Sequence, residues 1–324
     1  MLETLLPLVG LILASVAVMS NDAVQTLGTF IASNKKTPWW KLWGAASSVL
    51  IATVLYSWFV YDGDISFGRL DKIPPVPIEW YHALAPGVLL LLTRYGIPVS
   101  TTFLVLSAFA STVVFEKMLL KSMVGYAISA VVAYGFWMLL SKYLDEKKKV
   151  DSNHEKYWRV AQWLTTGWLW STWLKHDLAN IMIFLPRYSM VQSFQFQLFV
   201  VSVMLIGLAF MFYERGGRIQ EIVLSKTNTR YVRSATLIDL VYCFVLYYFK
   251  EVNNIPMSTT FVFMGMLAGR ELGIWLSIGY GKLTYTDRHK KAIFPMLYMD
   301  FLRLMLGLMI SVSLAYGIQW YSSL

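Results

Sequence analysis

The chain has 324 residues, of which 57% are hydrophobic, 16% aromatic and only 15% charged. A soluble domain usually carries about 25% charged residues, so the composition excludes an ordinary soluble fold and indicates an all-α polytopic protein embedded in a lipid bilayer. The formal net charge of +9 is typical of basic cytoplasmic loops in such proteins, and no nucleic-acid partner is expected. The single cysteine excludes an intrachain disulfide and any multi-cysteine metal site.

Long apolar runs account for most of the chain. A helix needs roughly 20 apolar residues to cross a bilayer, and the clearest candidate spans are Leu5–Ser20, Leu42–Tyr61, Leu119–Leu140, Val200–Tyr213 with its flanks, and Ala292–Tyr316. In the last span Asp300 and Arg303 are three residues apart, a helical spacing that favours an ion pair between them.

The charges of the loops predict how the spans are oriented. Basic residues cluster at Asn34–Lys41, Lys142–Arg159, Glu214–Arg233 and Lys282–Lys291, whereas Asp62–Glu79 is mainly acidic. Placing all four basic clusters in the cytoplasm predicts that both chain termini lie outside. It leaves two segments, 80–115 and 235–268, that begin and end on the same side. Each is interrupted by a proline, so each is either a re-entrant hairpin or a pair of full spans.

This topology divides the chain into two halves of opposite orientation. We expect a first inverted repeat over 1–145, a cytoplasmic linker over 146–156 and a second inverted repeat over 157–324. Inverted-topology repeats with interrupted hydrophobic segments at matching positions are typical of secondary transporters. The predicted fold is therefore an all-α polytopic membrane protein made of two inverted repeats with broken or re-entrant helices.

The two interrupted segments carry nearly the same heptapeptide. Residues 97–103 read IPVSTTF and residues 255–261 read IPMSTTF. Proline disfavours helix in the residue before it, so the hydroxyl residues that follow are predicted to begin helices: Ser100, Thr101 and Thr102, and Ser258, Thr259 and Thr260. A helix N-terminus offers free N–H groups and the positive end of a dipole, which together bind an anion. The alternative is that these residues only cap two helix hairpins.

Each half also opens with an aspartate in an apolar context. The first half has MSNDAVQTLGTF, with Asn21, Asp22, Gln25 and Thr29, and the second has LKHDLANIMIFLP, with His176, Asp177 and Asn180. A carboxylate within a span is costly and indicates a functional site, and carboxylate, amide and hydroxyl oxygens suit a small, hard cation. We expect Asp22, Asp177, Gln25 and Thr29 to bind a cation beside the anion, as symport requires. The alternative is that the two aspartates cap helix fragments.

In this paired order the four motifs resemble the inorganic phosphate transporter (PiT) family. Each of its two inverted repeats carries a Gly-Ala-Asn-Asp-Val-Ala-Asn type motif and a Pro-x-Ser-Thr-Thr-His motif, and the resemblance extends from about residue 15 to about residue 270. It implies a symporter of the cell membrane that moves phosphate with sodium and needs no cofactor. It also implies a binding site around substrate and ions that contains Asn21, Asp22, Asp177, Asn180 and the six Ser-Thr-Thr hydroxyls.

The sequence departs from the family pattern in the residues next to the motifs. Phe103 and Phe261 replace the two histidines, Gln25 replaces an asparagine, and His176 replaces the asparagine before the second aspartate. Because a histidine pKa is readily moved across neutral pH, His176 is a candidate for proton coupling. The alternative is that it is only hydrogen-bonded inside the bundle. A sulfate or other oxyanion permease, an uncoupled anion channel and an intramembrane enzyme for a phosphorylated lipid remain alternatives. The sequence leaves stoichiometry open, and a homo-oligomer is compatible with it.

Overall fold

The structure is a computed structural model that describes residues 2–71, 73–140, 152–185, 194–226, 229, 231–252, 256–279 and 287–322. Helices make up 81% of it. The helices are α1 Leu2–Ser20, α2 Asp22–Ser33, α3 Trp39–Val60, α4 Trp80–Arg94, α5 Thr101–Leu104 with a 3₁₀ turn at Leu106–Ala108, α6 Thr112–Leu140, α7 Ser152–Asp177, α8 Ala179–Met182, α9 Phe194–Tyr213, α10 Gln220–Leu224, α11 Val232–Val252, α12 Thr259–Gly279 and α13 Asp287–Ser322.

The all-α membrane class is confirmed. Within the described ranges, the segments long and apolar enough to cross a membrane are Leu5–Ser33, Trp39–Val60, Thr112–Leu140, Val232–Phe249 and Ile293–Ser322. The expected run at Val200–Tyr213 lies in a shorter apolar helix, Gln197–Tyr213. Large apolar side chains point outward from these helices; Phe59 is 77% exposed and Ile206 is 71% exposed. Such a surface is suited to lipid rather than to water.

Two helical runs carry a one-residue irregularity next to the aspartates. Asn21 separates α1 from α2, so Asp22 is the first residue of α2, and Leu178 separates α7 from α8, so Asp177 is the last residue of α7. The backbone hydrogen bonds from Asn21 N–H to the Ala17 oxygen and from Leu178 N–H to the Leu174 oxygen are both 3.0 Å long. The chain therefore keeps its direction through each irregularity while presenting polar side chains at it.

The two interrupted segments differ in length. In the first, α4 has 15 residues and spans about 22 Å, which is shorter than the roughly 30 Å of a hydrocarbon core. It is followed by Gly96, which has a φ of 71°, and by α5 with four residues. In the second, α11 contains the full candidate span Val232–Phe249, and α12 has 21 residues. The first segment therefore consists of helices too short to cross alone, whereas the second contains a full-length helix.

Two parallel helix pairs frame the site. The helices α7 and α11 run in the same direction, because Thr166 donates to Asp239 and, further along both helices, His176 meets the Leu246 oxygen at 2.9 Å. The helices α6 and α12 are also parallel and pack backbone to backbone. A Cβ on Gly265, Gly269 or Gly273 of α12 would meet the carbonyl oxygen of Tyr126, Ala130 or Tyr134 of α6, respectively. Small residues at such a spacing let membrane helices approach closely.

Three of the basic clusters lie at one end of the bundle. Arg159 donates to Asn34 Oδ1 at 2.9 Å, and Arg215 donates to the Thr37 carbonyl at 2.9 Å. This common end is what the charge-based topology requires, although which side of a membrane it faces stays a prediction. Half of the cluster at 282–291 lies outside the described residues, and 287–291 begin α13. Most of the expected linker, 146–156, also lies outside the described residues, and only 152–156 are described, as the start of α7.

Candidate functional site

The two Ser-Thr-Thr motifs begin helices in the same way. Ser100 Oγ accepts a hydrogen bond from the Phe103 N–H at 3.2 Å, and Ser258 Oγ accepts one from the Phe261 N–H, also at 3.2 Å. Each serine thus satisfies one of the N–H groups that a helix start leaves without an intrahelical partner. The helices that follow are unequal, since α5 has four residues and α12 has 21. The dipole of a full helix therefore acts at the second motif, whereas the first offers mainly its hydroxyls.

The motifs contact each other reciprocally. Thr102 donates to the Met257 carbonyl at 3.2 Å, and Thr260 donates to the Val99 carbonyl at 3.3 Å. In each case the last threonine of one motif meets the residue before the serine of the other motif. The phenylalanines that follow, Phe103 and Phe261, meet edge to face with their ring centroids 5.4 Å apart. This local arrangement is two-fold in character, while the inverted relation of the complete halves stays a prediction.

Asp22 lies where the two motifs meet. One carboxylate oxygen, Oδ1, accepts from Thr260 Oγ1 at 3.0 Å and from Asn21 Nδ2 at 3.1 Å, and the other, Oδ2, accepts from Thr101 Oγ1. Asn21 Nδ2 also donates to the Val99 carbonyl at 2.5 Å. The aspartate is thus held by neutral donors that come from both halves of the chain.

Asp177 lies close enough to Asp22 for the two charges to interact, but its surroundings differ. Its Oδ1 accepts from Asn180 Nδ2 at 2.8 Å. Two buried acceptor atoms of this pair, Asp177 Oδ2 and Asn180 Oδ1, have no hydrogen-bond partner among the described residues, and neither has Gln25 Oε1, whose amide nitrogen donates to Asn21 beside Asp22. Buried polar atoms are normally satisfied, and carboxylate and amide oxygens are the ligands that small, hard cations prefer. These oxygen atoms are therefore suitable ligands for a cation such as sodium.

Two of the expected site residues make their contacts elsewhere. Thr29 donates to Asp239 Oδ1 at 2.5 Å, and the other oxygen of Asp239 accepts from Thr166, so Thr29 belongs to a neighbouring polar layer between α2, α7 and α11. His176 has its Nε2 beside the Leu246 carbonyl of α11. Asp239 could have been assigned to such a layer from the sequence, because it is an acidic residue within an apolar run.

Thr259 is tied to the aromatic residues beside the site. Its Oγ1 accepts from Trp173 Nε1 at 3.3 Å, and its carbonyl accepts from the Tyr242 hydroxyl at 3.1 Å. Trp173 in turn stacks on Trp170 with ring centroids 4.8 Å apart. These rings close the side of the site that faces α7 and α11.

Sequence analysis missed a buried arginine. Arg69 comes from the segment between α3 and α4 and is 1% exposed. Its Nε donates to the Lys175 carbonyl at 3.0 Å, two residues before Asp177, and its charge attracts that of Asp177. Burial lowers the pKa of Arg69 to about 10, so the side chain stays protonated at neutral pH. The apolar residues around it in the sequence, Phe67 and Leu70, were the available signal.

The assembled site is closed to solvent. The expected site residues are all buried, the most accessible being Ser100 at 5%. A dissolved ion therefore reaches them only when the surrounding helices move.

Comparison with known proteins supports the architecture. No protein-family model and no curated protein matches the sequence. Among solved structures, the chain is similar to one described as a sodium-dependent phosphate transporter, with 14% sequence identity and a TM-score of 0.64. The match covers 99% of this chain and 98% of that one. The all-α membrane fold expected from the sequence is therefore confirmed, whereas the inverted relation of the two halves stays a prediction.

Proposed function

We propose that the protein is a secondary active transporter that moves inorganic phosphate together with a cation across the cell membrane by alternating access. Sodium is the leading candidate for the cation. The observation that supports this most is the bonding of Asp22, which accepts a threonine hydroxyl from each of the two Ser-Thr-Thr motifs. A carboxylate thereby stands between two sets of hydroxyls, so a cation-binding group and anion-binding groups share one site.

The surroundings of the site add to the proposal. The start of α12 supplies N–H groups and the positive end of a helix dipole for an oxyanion. The unpartnered oxygens of Asp177, Asn180 and Gln25 supply ligands for a cation. Transporters commonly bind substrate at discontinuous helices near the middle of the membrane, and here the segments before Ser100 and Ser258 are non-helical where they reach the site.

Closure of the site is consistent with alternating access. Both aspartates are at most 2% exposed, so ions must enter and leave through other conformations. The membrane helices and the overall fold agree with a transporter rather than an enzyme.

Uptake into proteoliposomes tests the proposal. Purified protein should take up labelled phosphate only with an inward sodium gradient, and Asp22→Asn should abolish uptake because it removes the charge that the cation needs. Excess unlabelled sulfate and arsenate define the selectivity among oxyanions. Uptake that is absent, or that does not respond to sodium, would contradict the proposal. A steady anion current in planar bilayers that persists in Asp22→Asn would instead identify an uncoupled channel.

A further inference from the structure

The segment that carries Arg69 is folded tightly on itself. We call residues 61–71 the Arg69 loop. The Asp64 carboxylate accepts hydrogen bonds from the Ser66 N–H at 2.7 Å, from Ser66 Oγ at 2.6 Å and from the Gly68 N–H at 2.7 Å. The Arg69 N–H then closes a turn on the Ser66 carbonyl at 3.2 Å. These bonds fix the backbone from which Arg69 projects.

Neighbouring helices hold the loop in place. Ser57 at the end of α3 donates to the Asp64 carbonyl at 2.5 Å, and Gln197 of α9 donates to the Gly63 carbonyl at 2.6 Å. The Lys175 ammonium of α7 lies 5.8 Å from the centre of the Phe67 ring. The guanidinium is therefore presented to the end of α7 by a rigid support and not by a free loop.

Arg69 adds a permanent charge to the site. A buried charge is stable only when it is paired, and Arg69 is paired by the charge of Asp177 and by the Lys175 carbonyl at the end of α7. Lys121 of α6, 9% exposed, is close enough to Arg69 for their charges to repel. Asp177 therefore has the positive charge of Arg69 near it in addition to its neutral donor Asn180, whereas the side-chain hydrogen bonds of Asp22 come from neutral groups alone.

We propose that Arg69 is a fixed counter-charge that weakens cation binding at Asp177 until an oxyanion arrives, so that the second aspartate takes up its cation only together with the anion. The proposal rests on the proposed function in taking the two aspartates as the cation site. Without an anion, Arg69 repels a cation from the free oxygens of Asp177 and Asn180. An oxyanion beside Arg69 offsets this repulsion, and cation and anion then favour each other's binding reciprocally.

The effect has a measurable size. A neighbouring opposite charge lowers the proton affinity of a carboxylate by roughly ten- to thousandfold. It lowers the affinity of the carboxylate for a monovalent cation in the same way. In the absence of phosphate, the Arg69→Gln variant should therefore bind sodium at least about tenfold more tightly than the unmodified protein does. Arg69→Lys keeps the charge and should behave like the unmodified protein. Arg69→Gln combined with Asp177→Asn should lose the gain, because the carboxylate that benefits is gone.

Sodium binding to purified protein tests the inference without transport. The melting temperature is measured at increasing sodium chloride concentrations, with choline chloride as the replacement salt, in the presence and in the absence of phosphate. Arg159→Gln is the matched control, because Arg159 pairs with Glu155 at 3.1 Å on the surface, with 41% of its side chain exposed. Equal sodium affinity in Arg69→Gln and in the unmodified protein would overturn the inference.

A second measurement needs no variant. In the unmodified protein, phosphate should tighten sodium binding by about tenfold or more, and no tightening would also overturn the inference. If sodium binds and phosphate is transported but Arg69→Gln changes nothing, only this inference fails. If sodium does not bind at all and no uptake occurs, the proposed function fails with it.

Discussion

Replacement of Thr260 by valine tests whether its hydroxyl acts in ion binding or only in the stability of the fold. Valine keeps the branched shape and removes the hydroxyl that donates to Asp22 Oδ1 at 3.0 Å. A hydrogen bond to a charged group contributes about 1.5–3 kcal/mol. If this energy orients the carboxylate for the cation, its loss corresponds to roughly a 10- to 150-fold decrease in uptake efficiency at low sodium.

Thr53→Val is a matched control for this prediction. Thr53 is 4% exposed and donates to Ser171 Oγ, also at 3.0 Å, but this bond joins α3 to α7 through two neutral groups. Its removal should cost about 1 kcal/mol of stability and leave uptake per folded protein unchanged. Both variants are assayed for labelled phosphate uptake in proteoliposomes, normalised to folded protein. If Thr260→Val transported as well as Thr53→Val, the assignment of Asp22 as a cation ligand held by Thr260 would be refuted.

Three further predictions concern packing, charge pairing and proton coupling. Gly269→Ala should lower the melting temperature strongly, because its Cβ would overlap the backbone of α6, whereas Gly135→Ala, with nothing within 4 Å, should leave it unchanged or raise it slightly. Lys226→Met alone or Asp300→Asn alone should cost about 3–5 kcal/mol of stability, because each leaves a buried charge unpaired. If the double variant were no more stable than either single variant, the pairing would be contradicted. His176→Gln keeps an N–H donor for its backbone partner, so sodium-driven uptake should persist with an unchanged pH profile near neutrality; a shifted profile would instead support proton coupling.

The sequence predicted the features that depend on local chemistry. Proline in each heptapeptide interrupts a helix, and the serine after it caps the next one. Asp22 and Asp177 each stand out because a carboxylate in an apolar run has few roles other than binding or capping. The two motifs meet in the structure, as the prediction of one shared site requires.

Other features depend on packing that a single sequence does not show. After identical Ser-Thr-Thr-Phe strings, α5 ends after four residues whereas α12 continues for 21 and packs along α6 through its glycines. Asp300 pairs with Lys226, so the expectation that it pairs with Arg303 is wrong. Helical spacing places Arg303 one turn from Asp300, but the observed partner, Lys226, follows α10 and is distant in the sequence.

Arg69 shows why a repeated motif alone does not determine how the site works. The sequence motifs predict that the two aspartates correspond to each other, and equal surroundings would give them equal affinities for a cation. Asp22 is held by hydroxyls and an amide alone. Asp177 accepts from the Asn180 amide and is also attracted by a guanidinium supplied by a loop between α3 and α4. The difference therefore comes from a residue outside every motif. A site with two unequal aspartates can bind one cation first and make the second conditional on the anion, and such mutual dependence of cation and anion binding is one basis for coupled transport.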